Sequence, residues 1–221
     1  MEWCEKNVAA RVKKPKLDEE PVIPFTQEEH AAIVAACDRY PTHNSFGHDS
    51  RLRILAFVLA LRYSCLRISD VVRLKPSRIS ADGMLLVRTT KTGTPVRLLL
   101  PQILLNALKA IQVGDTYYFG AYRQRLLPST SNWRRIFGNL LKLAGVSGTP
   151  HMYRHMAAIE LLENGVLVEH VAAILGNSPD VVYTHYAPWV PSREEALEAA
   201  VRKMRGAQNS VPTSVLNTCT S

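Results

Sequence analysis

The sequence predicts a mainly α-helical fold with one small antiparallel β-sheet, an α+β class. Apolar residues recur at helical spacing over most of the chain, on both sides of a short central region. In that region the pattern changes to two strand-like runs, MLLVRTT and PVRLLL, joined by the Gly-containing turn KTGTP. The length of 221 residues, with 47% apolar and 21% charged residues, fits one globular domain with a short appendage.

The first predicted helix opens the compact part of the chain near Thr26. Thr26 and Glu29 have the spacing of a capping box, in which the two side chains satisfy each other's backbone N–H groups. An apolar stripe follows at helical spacing, made by Ala32, Ile33, Ala36 and Cys37. The next segment, RLRILAFVLALRYSCL, is a second helix, and its many apolar residues predict that it is buried.

A series of helices follows the central β region. Asp82-Gly83 marks the turn into the first strand, and a sheet of two or three strands is the simplest interpretation. Helical spacing then resumes at 101–111, 129–143, 151–164, 167–175 and 192–205. We therefore expect a compact unit over residues 26–205, a linker at 1–25 and a flexible polar tail at 206–221.

Basic residues are concentrated in the middle of the chain. The net charge is +8, yet residues 51–154 carry 17 Lys and Arg against three acidic residues, whereas the remainder carries 10 basic and 16 acidic residues. Such a block indicates a surface that binds a polyanion. On charge alone, ordinary solvated basic faces explain it equally well.

The cysteines and the apolar runs bear on the compartment. Cys4, Cys37, Cys65 and Cys219 show no CxxC or zinc-finger spacing, which predicts free thiols in a reducing compartment. The longest clean apolar run, 54–61, is far shorter than the about 20 residues that span a bilayer. The first residues lack the apolar region of a secretory signal. We expect a soluble, cytoplasmic protein without a membrane partner.

The segment TPHMYRHMAAIELLENG has the marks of an anion site. We expect Thr149 to cap a helix whose first residue is Pro150, which puts His151 and Arg154 on one face of the first turn. A helix N-terminus beside an Arg and a His is suited to bind an anion. An ordinary capped helix with a surface Arg is the alternative. A zinc site at His151 and His155 is disfavoured, because position 152 is Met and no third ligand is marked.

Three further segments carry candidate residues, and each also has a structural explanation. In CLRISDVVRL, Arg67 precedes a turn of helix that begins at Ser69, and Asp70 is placed to form an ion pair with it. Lys91 lies at the tip of the predicted hairpin, where a lysine is usually only solvated. The segment LGNSPDVVYTHYAPW places three polar rings near the end of a short helix, namely Tyr183, His185 and Tyr186. Tyrosines at such positions are commonly half-buried anchors.

In their order along the chain, these segments resemble the catalytic domain of the tyrosine recombinases, the phage-integrase family. The resemblance rests on LRISD, a Lys in a KTG hairpin, HMYRH, and LGN followed nine residues later by Tyr186. It covers about residues 25–205. Each motif alone is weak, and the ordered set is specific. The resemblance implies the catalytic-domain fold of the DNA breaking-rejoining enzymes.

The resemblance also implies a role for each matching residue. The residues that correspond to the family's catalytic Arg, Lys, His, Arg and Tyr are Arg67, Lys91, His151, Arg154 and Tyr186. Asp70 matches an acidic residue that often follows the first Arg. Asn177 stands where the family most often has His or Trp in LGH, and an amide cannot transfer a proton. We therefore expect activity that is retained and reduced.

The implied reaction is the cutting and rejoining of DNA through a covalent 3′-phosphotyrosyl intermediate, without metal, ATP or another cofactor. The two arginines would bind the phosphate, Tyr186 would attack phosphorus, and Lys91 would protonate the leaving 5′-oxygen. The implied partners are double-stranded DNA of the nucleoid and further copies of the chain, as a tetramer on DNA and a monomer when free. Residues 1–25 would be the tail of a preceding core-binding domain and its linker, and 26–205 the catalytic domain.

Two alternatives stay open. Residues 154–186 also have the pattern of a helix-turn-helix in a non-catalytic DNA-binding regulator, with turns at Gly165 and Gly176. That interpretation uses only the last third of the chain and leaves the order of the other motifs to chance. A type IB topoisomerase would use the same chemistry without exchanging partners.

Overall fold

Helices make up most of the structure, and one β-hairpin interrupts them. The computed structural model describes residues 23–41, 50–91, 93–113, 115–120, 128–186, 189, 198, 201–202 and 204–205. The helices are α1 (Gln27–Asp38), α2 (Ser50–Tyr63), α3 (Ile68–Val71), α4 (Gln102–Ala110), α5 (Thr130–Ala144), α6 (His151–Glu163), α7 (Val168–Leu175) and α8 (Pro179–Tyr186). A 3-10 turn precedes strands β1 (Met84–Arg88) and β2 (Pro95–Leu99). The predicted mainly α fold with a small antiparallel sheet is confirmed.

The first helix begins as the sequence predicts. The hydroxyl of Thr26 accepts the N–H of Glu29 at 3.1 Å, and the Glu29 carboxylate accepts the N–H of Thr26 at 2.9 Å, which completes the capping box. Of the predicted apolar stripe, Ile33, Ala36 and Cys37 are buried and Ala32 is half-buried. This stripe packs α1 against α2 and α5.

Two clusters of buried side chains fill the interior. The larger cluster joins α1, α2, α4, α5 and the inner face of the hairpin. At its centre Phe57 stacks on Trp133, with ring centroids 4.3 Å apart, and Phe119 meets both rings edge-on. The smaller cluster joins Cys65 to α6, α7 and α8. Tyr186 belongs to this smaller cluster, so the packing of α8 determines where its ring lies.

The hairpin is the only sheet within the described part of the chain. β1 and β2 pair antiparallel, from Met84 opposite Leu99 to Arg88 opposite Pro95. Its inner face packs on α7. Gly176, which ends α7, makes this close approach possible, because a Cβ at that position would lie 2.9 Å from Cγ2 of a hairpin threonine. The LGN segment is thereby packed against the base of the loop that carries the candidate lysine.

Two predicted helix starts are wrong by one residue. Pro150, not Thr149, occupies the N-cap of α6, and no side chain caps that end; the Thr149 carbonyl instead accepts the N–H of Met152 at 3.1 Å. α3 begins at Ile68 rather than Ser69, with Arg67 itself at the N-cap. The remaining predicted helices up to residue 186 are confirmed, although the second ends at Tyr63, three residues before the predicted end at Leu66.

Some predictions fall on other parts of the chain. The linker at 1–22 and the tail at 206–221 lie outside the described residues, and so does most of the predicted helix at 192–205. Among the described residues, no helix combines the length and the apolar character that a bilayer crossing requires.

Substituting alanine at Gly176 tests the contact between α7 and the hairpin. The backbone there is left-handed, with φ +61°, which costs an L-residue about 1–2 kcal/mol. The clash with Thr89, which is buried, adds about 1–3 kcal/mol of overpacking. Gly165→Ala is the matched control, because Gly165 has φ +76° and open space around it. We expect Gly176→Ala to lower the free energy of unfolding in urea more than Gly165→Ala; equal losses would contradict the close approach.

Candidate active site

Arg154 is the most deeply buried cation of the candidate site. Arg154 is only 2% exposed and lies on the first turn of α6. Its guanidinium donates to the carbonyl of Cys65 at 2.7 Å, to the carbonyl of Leu175 at 2.5 Å and to Oδ1 of Asn177 at 3.1 Å. Burial, together with repulsion from Arg67, lowers the pKa of Arg154 to about 10, so the group stays charged at neutral pH. The predicted alternative of a surface Arg is wrong.

The connection between α2 and α3 is shaped to accept this cation. Cys65 has φ +56°, a left-handed conformation that is uncommon for a residue with a side chain. Its carbonyl is one of the acceptors of Arg154. Strained backbone of this kind persists where the surrounding contacts hold it. The buried guanidinium is such a contact, since it needs acceptors from the protein to replace water.

Arg67 and Arg154 share one acceptor. Oδ1 of Asn177 accepts from Nη2 of Arg67 at 2.7 Å and from Nη2 of Arg154 at 3.1 Å. Nη1 of Arg67 is buried and has no hydrogen-bond partner in the described part of the protein. Two guanidinium groups therefore converge on a single oxygen atom. This arrangement is suited to hold an anionic oxygen, which is a stronger acceptor than an amide oxygen.

Asp70 binds the hairpin loop next to the candidate lysine. The sequence suggested an ion pair with Arg67, and the structure shows a different contact: Oδ1 of the buried Asp70 accepts the backbone N–H of Thr90 at 2.8 Å. Thr90 is the neighbour of Lys91, whose side chain is exposed. The second carboxylate oxygen, Oδ2, is buried and has no hydrogen-bond partner among the described residues. Asp70 thus anchors the loop that carries the lysine.

Two histidines line the same face of α6. The rings of His151 and His155 meet edge-on, with centroids 4.4 Å apart. Partial burial and the charges of Arg154, Arg67, His185 and Lys91 lower the pKa of His151 to about 4, although part of the residue is exposed. Burial, His151, Arg154 and His185 lower the pKa of His155 to about 4 as well. Both imidazoles are therefore neutral at pH 7.

The two candidate tyrosines differ sharply in environment. Tyr186 ends α8 and is 3% exposed, whereas Tyr183 is 48% exposed. The hydroxyl of Tyr186 lies 2.6 Å from Nδ1 of His155. Burial raises the pKa of Tyr186 to about 12, while Arg154 and Arg67 act in the opposite direction. The phenol is thus close enough to both guanidinium groups to be influenced by them.

The structure brings the sequence-predicted residues into one neighbourhood. Contacts or electrostatic effects link all seven, which are Arg67, Asp70, Lys91, His151, Arg154, Asn177 and Tyr186. The sequence pattern suggested only the role of a zinc ligand for His155, and the contact of His155 with Tyr186 was not predicted. The signal was available, because His155 lies one helical turn after His151 and therefore shares its face.

Comparisons with known proteins agree with this geometry. A family model described as the Phage integrase family matches residues 24–188. The chain belongs to this family. Tyrosine recombinase XerA of Pyrococcus furiosus is 28% identical over 204 residues, which cover 87% of this chain and 66% of that protein. Tyrosine recombinase XerC of Chlamydia muridarum is 28% identical over 201 residues, which cover 83% of this chain and 60% of that protein.

Solved structures show the same integrase fold. A crystal structure of XerA recombinase matches with a TM-score of 0.61 at 21% identity, over 85% of this chain and 66% of that one. The catalytic domain of bacteriophage HP1 integrase matches with a TM-score of 0.58 at 18% identity, over 82% of this chain and 94% of that one. The integrase-family chain described here spans about 60 to 66% of the length of the XerA and XerC relatives.

Replacing Asn177 by Asp tests the shared acceptor between the two arginines. A carboxylate between two guanidinium groups makes charge-assisted hydrogen bonds, so we expect the free energy of unfolding at pH 7 to rise by about 1 kcal/mol. The two cations lower the pKa of the new carboxyl below its unfolded value of about 3.9. The gain is therefore present above that pH and is lost as pH falls through the folded pKa. Urea unfolding at pH 7 and pH 3 measures both effects.

The matched control for this change is Asn139→Asp, since Asn139 is exposed on α5. We expect Asn139→Asp to leave stability nearly unchanged. A loss of stability in Asn177→Asp at pH 7, with none in Asn139→Asp, would contradict the convergence of the two arginines.

The depressed histidine pKa values predict an acid-sensitive fold. His151 and His155 have folded pKa values of about 4 against an ordinary value of 6.5, so the unfolded chain binds more protons between these limits. Stability is thus expected to be level above pH 6.5 and to fall as pH drops from 6.5 to 4. Urea unfolding across this range should show a shallower slope in His155→Asn than in the native chain. His170→Gln, at an exposed position on α7, should keep the native slope; a native slope in His155→Asn would contradict the burial of that imidazole.

Proposed function

We propose that this chain is the strand-transferring part of a site-specific DNA recombinase, which cuts and rejoins double-stranded DNA through a covalent 3′-phosphotyrosyl intermediate. One observation carries the proposal: two guanidinium groups converge on a single oxygen atom beside a buried tyrosine whose pKa they influence. A phosphodiester supplies an anionic oxygen for the two arginines and a phosphorus atom for the tyrosine.

The arginines would bind the scissile phosphate. Arg67 and Arg154 present planar donors that match phosphate geometry, and Arg154 is held rigidly by two backbone carbonyls. Donors fixed before the substrate arrives stabilise the charge that develops on the phosphate oxygens during attack. His151, exposed beside these two cations, would donate a further hydrogen bond.

Tyr186 and Lys91 would make and break the bonds. The hydroxyl oxygen of Tyr186 attacks phosphorus, the P–O5′ bond breaks, and the 3′ end stays on the protein as a phosphotyrosine. Lys91 protonates the leaving 5′-oxygen. The exposed lysine side chain on a loop anchored by Asp70 is suited to this role, because it can approach a bound DNA strand from the solvent side.

Asn177 would change partners when DNA binds. In the free protein its Oδ1 occupies the place between the arginines that a phosphate oxygen would take. When the anion displaces it, the amide can still donate through Nδ2, but it cannot transfer a proton. We therefore expect catalysis that is retained and slower than with a histidine at this position.

The alternatives explain less of the molecule. A helix-turn-helix regulator would contact DNA through α6, α7 and α8. That function gives no reason for the side chains of Arg154 and Tyr186 to be buried. A type IB topoisomerase would share the chemistry, so only the products separate it from a recombinase.

The working assembly is part of the proposal. One solved relative is a lambda integrase tetramer bound to a Holliday junction. We propose that this chain likewise acts as a tetramer on DNA at the nucleoid, in the cytoplasm, and is monomeric when free. Residues 26–205 would form the catalytic domain, 206–221 a flexible tail, and 1–25 the end of a core-binding domain with its linker.

A nicked duplex that traps the covalent intermediate tests the proposal. The native chain should give a protein–DNA adduct that survives denaturing electrophoresis, and Tyr186→Phe should give none while it binds the duplex with nearly unchanged affinity, because only the hydroxyl is removed. Tyr183→Phe is the control and should form adducts normally, since Tyr183 is exposed. Adducts that persist in Tyr186→Phe would exclude this nucleophile.

A second assay separates the recombinase from the topoisomerase. Two labelled duplexes that carry the same site are incubated with the chain, and exchange of their ends is followed by gel. Exchange is expected from a recombinase; no exchange, together with relaxation of a supercoiled plasmid that carries the site in a parallel reaction, would indicate a topoisomerase.

A further inference from the structure

Among the described residues, the hydroxyl of Tyr186 has one hydrogen-bond partner, His155. Nδ1 of His155 lies 2.6 Å from the phenolic oxygen, and the two ring centroids are 5.6 Å apart. His155 is partly buried on α6, and Tyr186 is 3% exposed at the end of α8. The oxygen that would attack phosphorus is therefore held by an imidazole, inside the protein and away from bulk water.

Burial and charge set the protonation states of the His155 imidazole and the Tyr186 phenol. The groups that act on His155 are His151 and Arg154 on α6, together with His185 and Tyr186 on α8. Burial and the positive charge of Arg154 keep the imidazole neutral, and burial keeps the proton on the phenol. A neutral imidazole has one ring nitrogen without a proton. In the tautomer whose ring proton lies on Nε2, the hydroxyl of Tyr186 donates to Nδ1, and a base at this position requires that tautomer.

We infer that His155 is the base of the strand-transfer reaction: it accepts the proton of Tyr186 during cleavage and returns that proton during rejoining. The inference rests on the proposed function. In cleavage the Oη–H bond breaks, its proton moves to Nδ1, the Oη–P bond forms, and the P–O5′ bond breaks as Lys91 protonates the leaving oxygen. In rejoining the 5′-hydroxyl gives its proton back to Lys91 as its oxygen attacks phosphorus, the P–O5′ bond forms, the Oη–P bond breaks, and His155 returns its proton to the leaving phenolate.

The other titratable groups of the site are placed less well for this task. His151 is exposed, and its ring meets His155 rather than Tyr186. Lys91 lies on the exposed loop, is charged and therefore has no lone pair to offer. A bound phosphate adds a negative charge near His155, which favours the imidazolium. The base therefore becomes stronger when substrate is present, and the imidazolium is acidic enough to reprotonate a leaving phenolate.

Paired variants and paired substrates test the inference. Asparagine can place an oxygen where Nδ1 of histidine lies, so His155→Asn keeps an acceptor for the phenol but cannot take its proton. We expect adduct formation on the nicked duplex to slow by about 10²-fold or more in His155→Asn. The native chain serves as the positive control and must form the adduct in the same assay. The circular dichroism spectrum and the duplex affinity of His155→Asn are expected to match those of the native chain.

A duplex with a bridging 5′-sulfur at the scissile phosphate separates the two proton transfers. A thiolate leaves without a proton, so this substrate should restore adduct formation in Lys91→Ala and leave His155→Asn slow. Rescue of His155→Asn by the sulfur substrate would overturn the inference, because His155 would then act on the leaving group. If His155→Asn forms the adduct on the ordinary duplex at a rate within threefold of the native rate, the inference is overturned as well. The proposed function would then still stand.

The tautomer of His155 provides a readout without DNA. Long-range ¹H–¹⁵N spectra of the full chain at pH 7 should show a proton on Nε2 and a bare Nδ1, whose signal shifts in Tyr186→Phe. A proton on Nδ1 would overturn the inference, since the phenol would then be the acceptor. If the native chain forms no adduct at all, the proposed function fails and the inference fails with it.

Discussion

The burial of one positive charge organises this molecule. The guanidinium of Arg154 has left water, and a buried cation is tolerated only where protein acceptors replace its hydration. Those acceptors come from three places along the chain: the left-handed turn at Cys65, the end of α7 at Leu175, and the side chain of Asn177. Removing any of them would leave a buried charge with fewer partners. The hydrogen bonds of this single side chain therefore fix the turn after α2, the start of α6 and the end of α7 relative to one another.

The same constraint extends to the hairpin. α7 ends at Gly176, where the absence of a side chain lets the hairpin threonine approach, and the next residue is Asn177, which joins the two arginines. Asp70 contributes a second connection by accepting the N–H of Thr90. The loop of Lys91 is thus fixed at its base by two contacts, one to Gly176 at the end of α7 and one to Asp70, while the lysine side chain is exposed to solvent. A positioned loop with a free side chain suits a proton donor that meets its substrate only when DNA is bound.

Local patterns predicted most of the fold, and the ordered motifs predicted most of the site. The capping box at Thr26 and the caps of α5 are short-range features, so they are readable from neighbouring residues. The contacts of Arg154 are not, because two of its three acceptors are backbone carbonyls, which every residue possesses, and these lie 89 and 21 residues away along the chain. The role of Asp70 was misjudged for the same reason: its partner is a backbone N–H on the hairpin, and side-chain types alone suggested Arg67.

Charge explains both the attraction of substrate and the inertness of the free site. The basic block between residues 51 and 154 contains the two arginines and Lys91, whereas Tyr186 lies outside it. Without an anion, burial and the charge of Arg154 hold the pKa of both α6 histidines low, and burial holds that of the tyrosine high. A bound phosphate would offset the excess positive charge and displace Asn177 from between the arginines. On the proposed mechanism, Tyr186 and His155 would therefore stay unreactive until the substrate itself supplied the missing negative charge, and the phenol would be protected from unproductive ionisation.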